Sequence, residues 1–96
     1  MRTYKYVQST FAQGWSGFVE ENLDDVITKD IKELSRRYKY AEIVVTEIVD
    51  ADLIKYANML EREFNVSKER IKRIVSLCVV VDDECVKENI YFEVIG

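Results

Sequence analysis

The spacing of apolar residues changes along the chain, and this change limits the fold more than any other feature of the sequence. Residues 3–11, TYKYVQSTF, are rich in aromatic and β-branched types that alternate between two faces, which predicts a strand. From Phe18 to Tyr38 the apolar residues recur every three or four positions, which predicts a helix of about five turns. Ser16 is its expected N-cap. The first third of the chain is therefore strand followed by helix.

The middle of the chain repeats this pattern. Residues 41–49, AEIVVTEIV, are apolar on both alternating faces, which is typical of an interior strand covered on two sides. Asp50 is the expected N-cap of a second helix with an apolar stripe from Leu53 to Phe64. Asn65 tolerates the left-handed conformation that commonly ends a helix. A second strand and a second helix are therefore predicted.

The last third ends in two strand-like runs. After a short helical turn at Ser67, the residues from Ile74 to Val81 are mostly β-branched, and residues 88–96, ENIYFEVIG, are again strand-like. Asp82 and Asp83 lie between the two runs, and Asp is a common residue in tight hairpin turns. The sequence predicts a terminal β-hairpin.

These elements define one expected architecture. With 96 residues, 48% of them hydrophobic, the chain is long enough for one core, so residues 1–96 are expected to form a single α+β domain. The order β-α-β-α-β-β predicts a two-layer sandwich, with a mixed four-stranded sheet and both helices on one face. A strand-helix-strand start implies a parallel pair, and the plan resembles a ferredoxin-like fold with its second helix placed early.

The composition excludes most small-enzyme mechanisms. The chain has no histidine, so neither a Ser-His-Asp nor a Cys-His arrangement is available. Its three glycines, Gly14, Gly17 and Gly96, form neither a P-loop nor a dinucleotide-binding motif. Carboxylates occur in short clusters without the alternation of a calcium loop. We therefore predict no enzymatic activity, no catalytic residue and no cofactor.

Two cysteines, Cys78 and Cys85, are too few for a disulfide framework and, without histidine, too few for a four-ligand zinc site. They are expected to be reduced, with a bridge across the hairpin as the alternative, and no metal site is predicted. The longest apolar run, Leu77 to Val81, is far too short to span a bilayer. We expect no membrane association and a cytoplasmic location, in the host cytoplasm if the protein is viral.

One aromatic segment suggests a protein partner. The stretch FAQGWSGF places Trp15 between two glycines and close to Phe11 and Phe18. Large aromatic side chains on a loop are typical hot spots of protein interfaces, so these three residues are the predicted partner-binding residues. The alternative is that Trp15 closes one end of the core.

Residues 60–75, LEREFNVSKERIKRIV, can be read as two helices around a turn, as in a helix-turn-helix. Glu61, however, stands where that motif requires a small residue, and the net charge of the chain is −4. In this alternative the nucleic-acid contacts are basic residues from two segments: Arg36, Arg37, Lys39, Lys68, Arg70, Lys72 and Arg73.

The leading hypothesis is a small non-enzymatic interaction protein that binds or inhibits another macromolecule. Its size and composition are those of accessory proteins encoded by viruses and mobile elements. A protein partner is expected, with self-association as a homodimer through an exposed sheet edge or through the Trp15 segment. The alternative is a small DNA- or RNA-binding regulator that uses residues 60–75.

Overall fold

The computed structural model describes residues 2–9, 15–19 and 21–95. Within them the elements follow in the order β1 (Arg2–Ser9), β2 (Trp15–Val19), α1 (Leu23–Arg37), β3 (Glu42–Glu47), α2 (Asp50–Phe64), β4 (Ile71–Val81) and β5 (Glu84–Val94), with one 3-10 turn (Lys68–Arg70) before β4. The predicted α+β class is confirmed, and the predicted order of elements matches apart from the additional strand β2.

The strands form one sheet in the order β2-β1-β5-β4-β3, and all neighbours are antiparallel. The prediction of a mixed, four-stranded sheet was wrong in two respects. The segment WSGFV is a fifth strand, paired with β1, and β1 also pairs with β5 at the other end of the chain. The expected parallel pair of β1 and β3 is absent because β5 and β4 lie between them.

The two helices cover opposite faces of the sheet. Val75, Leu77 and Val79 of β4 pack in a cluster with α1, whereas Ile74 and the β5 residue Phe92 pack in a cluster with α2. Successive residues of a strand point to opposite faces, so the molecule has three layers rather than the predicted two with both helices on one face. The central strands β4 and β5 are apolar on both sides, and each side requires a cover.

β3 is an edge strand, although its apolar pattern predicted an interior one. Its described pairing is with β4 alone, from Glu42 opposite Val80 to Glu47 opposite Val75. The apolar residues of β3 are consequently more exposed than those of β4. The strands that are covered on both faces, as an apolar pattern of this kind predicts, are β4 and β5.

The start of α1 differs from the prediction. Asn22, not Ser16, is the N-cap, and its side chain accepts a hydrogen bond from the backbone N–H of Asp25 at 2.9 Å. Phe18 and Val19 belong to β2, where they pair with Tyr4 and Thr3 of β1. Two adjacent apolar residues fit either a helical or a strand pattern, so the sequence pattern alone did not distinguish the two.

α2 ends as predicted, and the segment after it does not form the second helix of a helix-turn-helix. Asn65 has φ 56° and ψ 38°, the left-handed conformation expected of a helix end. The predicted N-cap, Asp50, is instead the first residue of the helix, after Val49. A single 3-10 turn comes after Asn65, and β4 begins at Ile71, because its β-branched residues pair with β5.

The predicted β4–β5 hairpin is present. Asp82 and Asp83 form its two-residue turn, and both have positive φ, 50° and 64°, as a type I′ turn requires. In the part of the chain that the structure describes, neither helix has the length and apolar character needed to cross a membrane.

Candidate functional site

The outer edge of β3 is an open edge of the sheet in the part of the chain that the structure describes. β3 is the last strand in the sheet order, so its outer backbone groups have no strand neighbour in the described residues. Val44 and Val45, on opposite faces at its centre, are 38% and 44% exposed. Open, apolar edges are templates for the addition of another strand, and proteins commonly protect them with charge. Here the charges, Glu42 and Glu47, lie only at the two ends.

The beginning of α2 also exposes apolar residues. Val49 is 60% exposed, Ile54 is 64% exposed and Leu53 is 38% exposed. Leu53 and Ile54 line a groove of about 220 Å³, together with Ala57, Lys68, Ile71 and Lys72. We call Val44, Val45, Val49, Leu53 and Ile54 the β3–α2 surface. Val44 lies on the α2 face and Val45 on the α1 face, because they are opposite Cys78 and Leu77. Exposed apolar patches are typical of interaction sites in proteins.

The α1 face of the sheet carries a largely buried polar network. The Lys5 ammonium lies 2.7 Å from a carboxylate oxygen of Asp30, and the hydroxyl of Tyr91 donates to the same oxygen at 2.6 Å. The side-chain N–H of Asn89 donates to the Tyr91 hydroxyl at 2.9 Å. Because Asp30 lies on α1 and the other residues lie on β1 and β5, the network fixes α1 against the sheet.

This network has the character of a structural element. Burial, followed by the hydrogen bond to Asp30, raises the pKa of the Tyr91 phenol well above its usual value. Tyr91 therefore stays protonated and acts as a hydrogen-bond donor at neutral pH. Burial also lowers the pKa of Lys87, and the positive charges of Arg37 and Lys5 lower it further. None of these residues forms a nucleophile–base pair within the described hydrogen bonds.

A cluster of thiols and a carboxylate lies on the α2 face near the hairpin turn. Cys78, Cys85 and Glu88 each place a side-chain ligand atom within 4.8 Å of the other two. The Cys78 thiol lies 3.6 Å from a Glu88 oxygen, and the Ser76 hydroxyl lies 3.5 Å from the same oxygen. Both cysteines are free thiols. Burial, and then the hydrogen bond with Cys85, raises the pKa of Cys78 to about 12, so the free thiol is protonated near neutral pH.

Sequence reasoning missed this cluster, and only the approach of the two cysteines could have been found from the turn residues. The Asp82-Asp83 turn by itself pairs Val80 with Cys85 and would pair Cys78 with Lys87. The register shift between Val79 and Val80 places Glu88 opposite Cys78 instead. The prediction considered only cysteines and runs of carboxylates, and therefore did not consider Glu88.

Of the three predicted partner-binding residues, the structure describes the backbone of two. Phe11 is outside the described residues. The backbones of Trp15 and Phe18 belong to β2, where they pair with Val7 and Tyr4, rather than to a loop. Their side chains are outside the described part, and their role in binding stays a prediction.

The predicted nucleic-acid contacts form two separate groups. Arg73 donates to Glu47 and to Asp24, and Asp24 lies in the first turn of α1. A helix of 15 residues rises ~22 Å, so Arg36, at the far end of α1, is remote from that contact. The C-terminal group of α1 is Arg36, Arg37 and Lys39, and the group at the start of β4 is Lys68, Arg70, Lys72 and Arg73.

Several of these basic side chains are engaged locally. Arg37 is paired with Glu33 at 2.9 Å, and Arg70 donates to the backbone oxygen of Ile95 at 2.9 Å. Together with the absence of a second helix at residues 71–75, this arrangement offers no single basic surface among the described residues.

Comparisons with protein-family models, with curated proteins and with solved structures found no match to this chain. We therefore infer its function from the geometry of the described residues.

Proposed function

We propose that the protein is a non-enzymatic interaction module that binds its partner by strand addition at the open edge of β3. The observation that carries this proposal is an edge strand whose central residues, Val44 and Val45, are apolar and exposed. Strand addition gains backbone hydrogen bonds along the edge, while alternate side chains on the two faces supply specificity. The exposed start of α2, at Val49, Leu53 and Ile54, extends the contact area.

The partner that fits this edge is a second copy of the chain. In an antiparallel pair of β3 strands related by a twofold axis at Val44, each Ile43 is opposite Val45 and the two Val44 side chains face each other. Glu42 is then opposite Thr46, and Glu47 is opposite Ala41. Apolar cross-strand pairs stabilise a sheet, and like charges directly opposite would destabilise it. This register forms apolar cross-strand pairs and places no two like charges opposite each other.

Two further observations support an interaction protein rather than an enzyme. The chain has no histidine, so the commonest general base near neutral pH is missing. Lys5 and the buried Tyr91 both bind Asp30 and thereby link α1 to the sheet. A nucleic-acid regulator has less support, because the two basic groups lie at opposite ends of α1.

Light scattering after size-exclusion chromatography, over a range of protein concentrations, tests the proposal. We expect a dimer that dissociates on dilution, and a monomer for Val44→Lys, because a lysine at the centre of the edge places two like charges face to face. Val81→Lys is the matched control, since Val81 is 36% exposed but lies beside the hairpin turn.

A chain that is monomeric at every concentration would contradict strand addition between copies. A dimer that Val44→Lys leaves intact would show that another surface forms it. Both variants are expected to lose less than about 1 kcal/mol of unfolding free energy, because exposed strand positions span about that range. Urea unfolding monitored by circular dichroism checks this.

A further inference from the structure

The cluster of Cys78, Cys85 and Glu88 depends on an irregularity in the β4–β5 ladder. The register shifts between Val79 and Val80, so that Val79 is opposite Lys87 while Val80 is opposite Cys85. The extra residue, Val86, packs in the cluster with α1. The hairpin turn alone places Cys85 opposite Val80, on the face that Cys78 shares, and an unbroken ladder would place Lys87 opposite Cys78. The bulge instead places Glu88 opposite Cys78 on that same face.

The positions of the three groups fit a tetrahedral metal ion. With metal–sulfur and metal–oxygen bonds of about 2.3 and 2.0 Å, two ligands on a tetrahedral zinc ion are ~3.5 Å apart for sulfur and oxygen and ~3.8 Å apart for two sulfurs. The observed separation of the Cys78 sulfur and the Glu88 oxygen is 3.6 Å, and all three ligand atoms lie within 4.8 Å. Only small side-chain movements separate this arrangement from a binding geometry.

The surroundings of the cluster also suit a cation. Cys85 is exposed, which leaves an entry path and room for a water molecule as fourth ligand. The Ser76 hydroxyl, 3.5 Å from the Glu88 oxygen and 3.9 Å from the Cys78 sulfur, can orient both ligands from outside. The adjacent turn, Asp82-Asp83, adds negative charge.

We propose that Cys78, Cys85 and Glu88 bind a divalent zinc-class ion, with water as the fourth ligand. Two thiolates and one carboxylate favour a borderline-soft ion without geometric preference over calcium or magnesium, which take oxygen ligands. Binding exchanges the two thiol protons for the ion and releases them to solvent. The proposal does not depend on the proposed function, because the β3 edge contributes no ligand.

Titration of the reduced, full-length chain with Co²⁺, followed by Zn²⁺, tests the site. Co²⁺ bound by thiolates gives sulfur-to-metal charge-transfer absorption and the intense visible bands of tetrahedral coordination. We expect saturation at one ion per chain, loss of the bands when Zn²⁺ displaces Co²⁺, and release of about two protons per ion to a pH indicator.

Matched variants distinguish the site from adventitious binding. Cys85→Ser and Cys78→Ser should each abolish the charge-transfer absorption, and Glu88→Gln should weaken Co²⁺ binding on the order of tenfold or more. Glu84→Gln, on an exposed residue of the same hairpin, should leave the affinity unchanged. Glu88→Gln keeps the shape of the side chain, so it remains informative if a cysteine variant fails to fold.

Two results would overturn the proposal. One is the absence of charge-transfer absorption from the reduced chain at any Co²⁺ concentration. The other is equal Co²⁺ affinity in the unsubstituted chain and in Cys85→Ser, or in Glu88→Gln, which would show that the ion binds elsewhere. A thiol count with a chromogenic reagent before each titration ensures that neither result arises from a Cys78–Cys85 disulfide.

Discussion

The two faces of the sheet differ in how completely a helix covers them. α1 buries four of its residues, Leu23, Val26, Ile27 and Leu34, against β4 and β5. α2 has the same length but buries only Ala57 and Leu60, and its first half is exposed. α1 is also linked to the sheet by the polar network through Asp30, and its N-terminus is capped by Asn22. Among the described residues, no side chain caps α2.

The unequal cover by α1 and α2 suggests that different faces of this small domain serve stability and binding. Regions with few buried apolar contacts open most easily and are available for ligands, while densely packed regions hold the fold. The thiol cluster is on the α2 face, and the β3–α2 surface combines the exposed start of α2 with the β3 edge, where Val44 faces the α2 side and Val45 the α1 side. We infer that the α1 face contributes more to the stability of the fold, and that the α2 face carries most residues of the two proposed sites.

The largest expected effect compares two leucines, one near the start of each helix. Leu23→Ala should lower the unfolding free energy by about 2–5 kcal/mol, because the side chain is fully buried and its removal leaves a cavity. Leu53→Ala should cost less than about 1 kcal/mol, since Leu53 is partly exposed. Urea denaturation of both variants measures the difference, and equal losses would show that the two faces are equally well packed.

The next effect concerns the polar network. Asp30→Ala should cost about 1–3 kcal/mol, because it leaves the buried hydroxyl of Tyr91 without an acceptor and the ammonium of Lys5 without its partner. Glu33→Ala on the same helix is the control, with an expected loss of less than about 0.5 kcal/mol, since its pair with Arg37 is exposed. Urea denaturation of both variants measures these losses. A negligible loss for Asp30→Ala would mean that the network does not fix α1 against the sheet.

Alkaline pH should weaken the α1 face through Tyr91. Its pKa is raised in the folded protein, so above pH ~10 the unfolded chain loses this proton while the folded chain keeps it. The unfolding free energy should then decrease with rising pH, by at most about 1.4 kcal/mol per unit from this group. Denaturation of the unsubstituted chain and of Tyr91→Phe at about pH 9 to 11 measures it. Parallel pH profiles would contradict the prediction.

The smallest effect concerns the helix N-termini and should have opposite signs in α1 and α2. Asn22→Ala removes the cap of α1 and should cost about 1 kcal/mol. Val49→Ser offers a side-chain acceptor to α2, where none is described, and should stabilise by a few tenths of a kcal/mol. Thermal unfolding at low protein concentration compares the two variants with the unsubstituted chain. A loss of stability for Val49→Ser would show that α2 does not accept a side-chain cap at this position.

Much of the local structure was predictable. The stripe of α1 from Leu23 onward, the end of α2 at Asn65 and the hairpin turn at Asp82-Asp83 all follow from residues a few positions apart. The segment Trp15–Val19 was not identified as a strand, because five residues that include glycine and serine carry a weak pattern. The candidate site was predictable in part: an exposed sheet edge was expected, but neither β3 as that edge nor Glu88 beside the cysteines was foreseen.

Periodicity, caps and turn residues act over one or two turns of chain, so the order of the helices and most strands could be read from the sequence alone. The neighbours of each strand, the face that each helix covers and the bulge that places Glu88 opposite Cys78 required the folded molecule. These features depend on pairs such as Tyr4 with Phe92, which lie at opposite ends of the chain. The pairing is chosen by which arrangement buries both apolar faces of β4 and β5, and that quantity belongs to the whole domain rather than to any one segment.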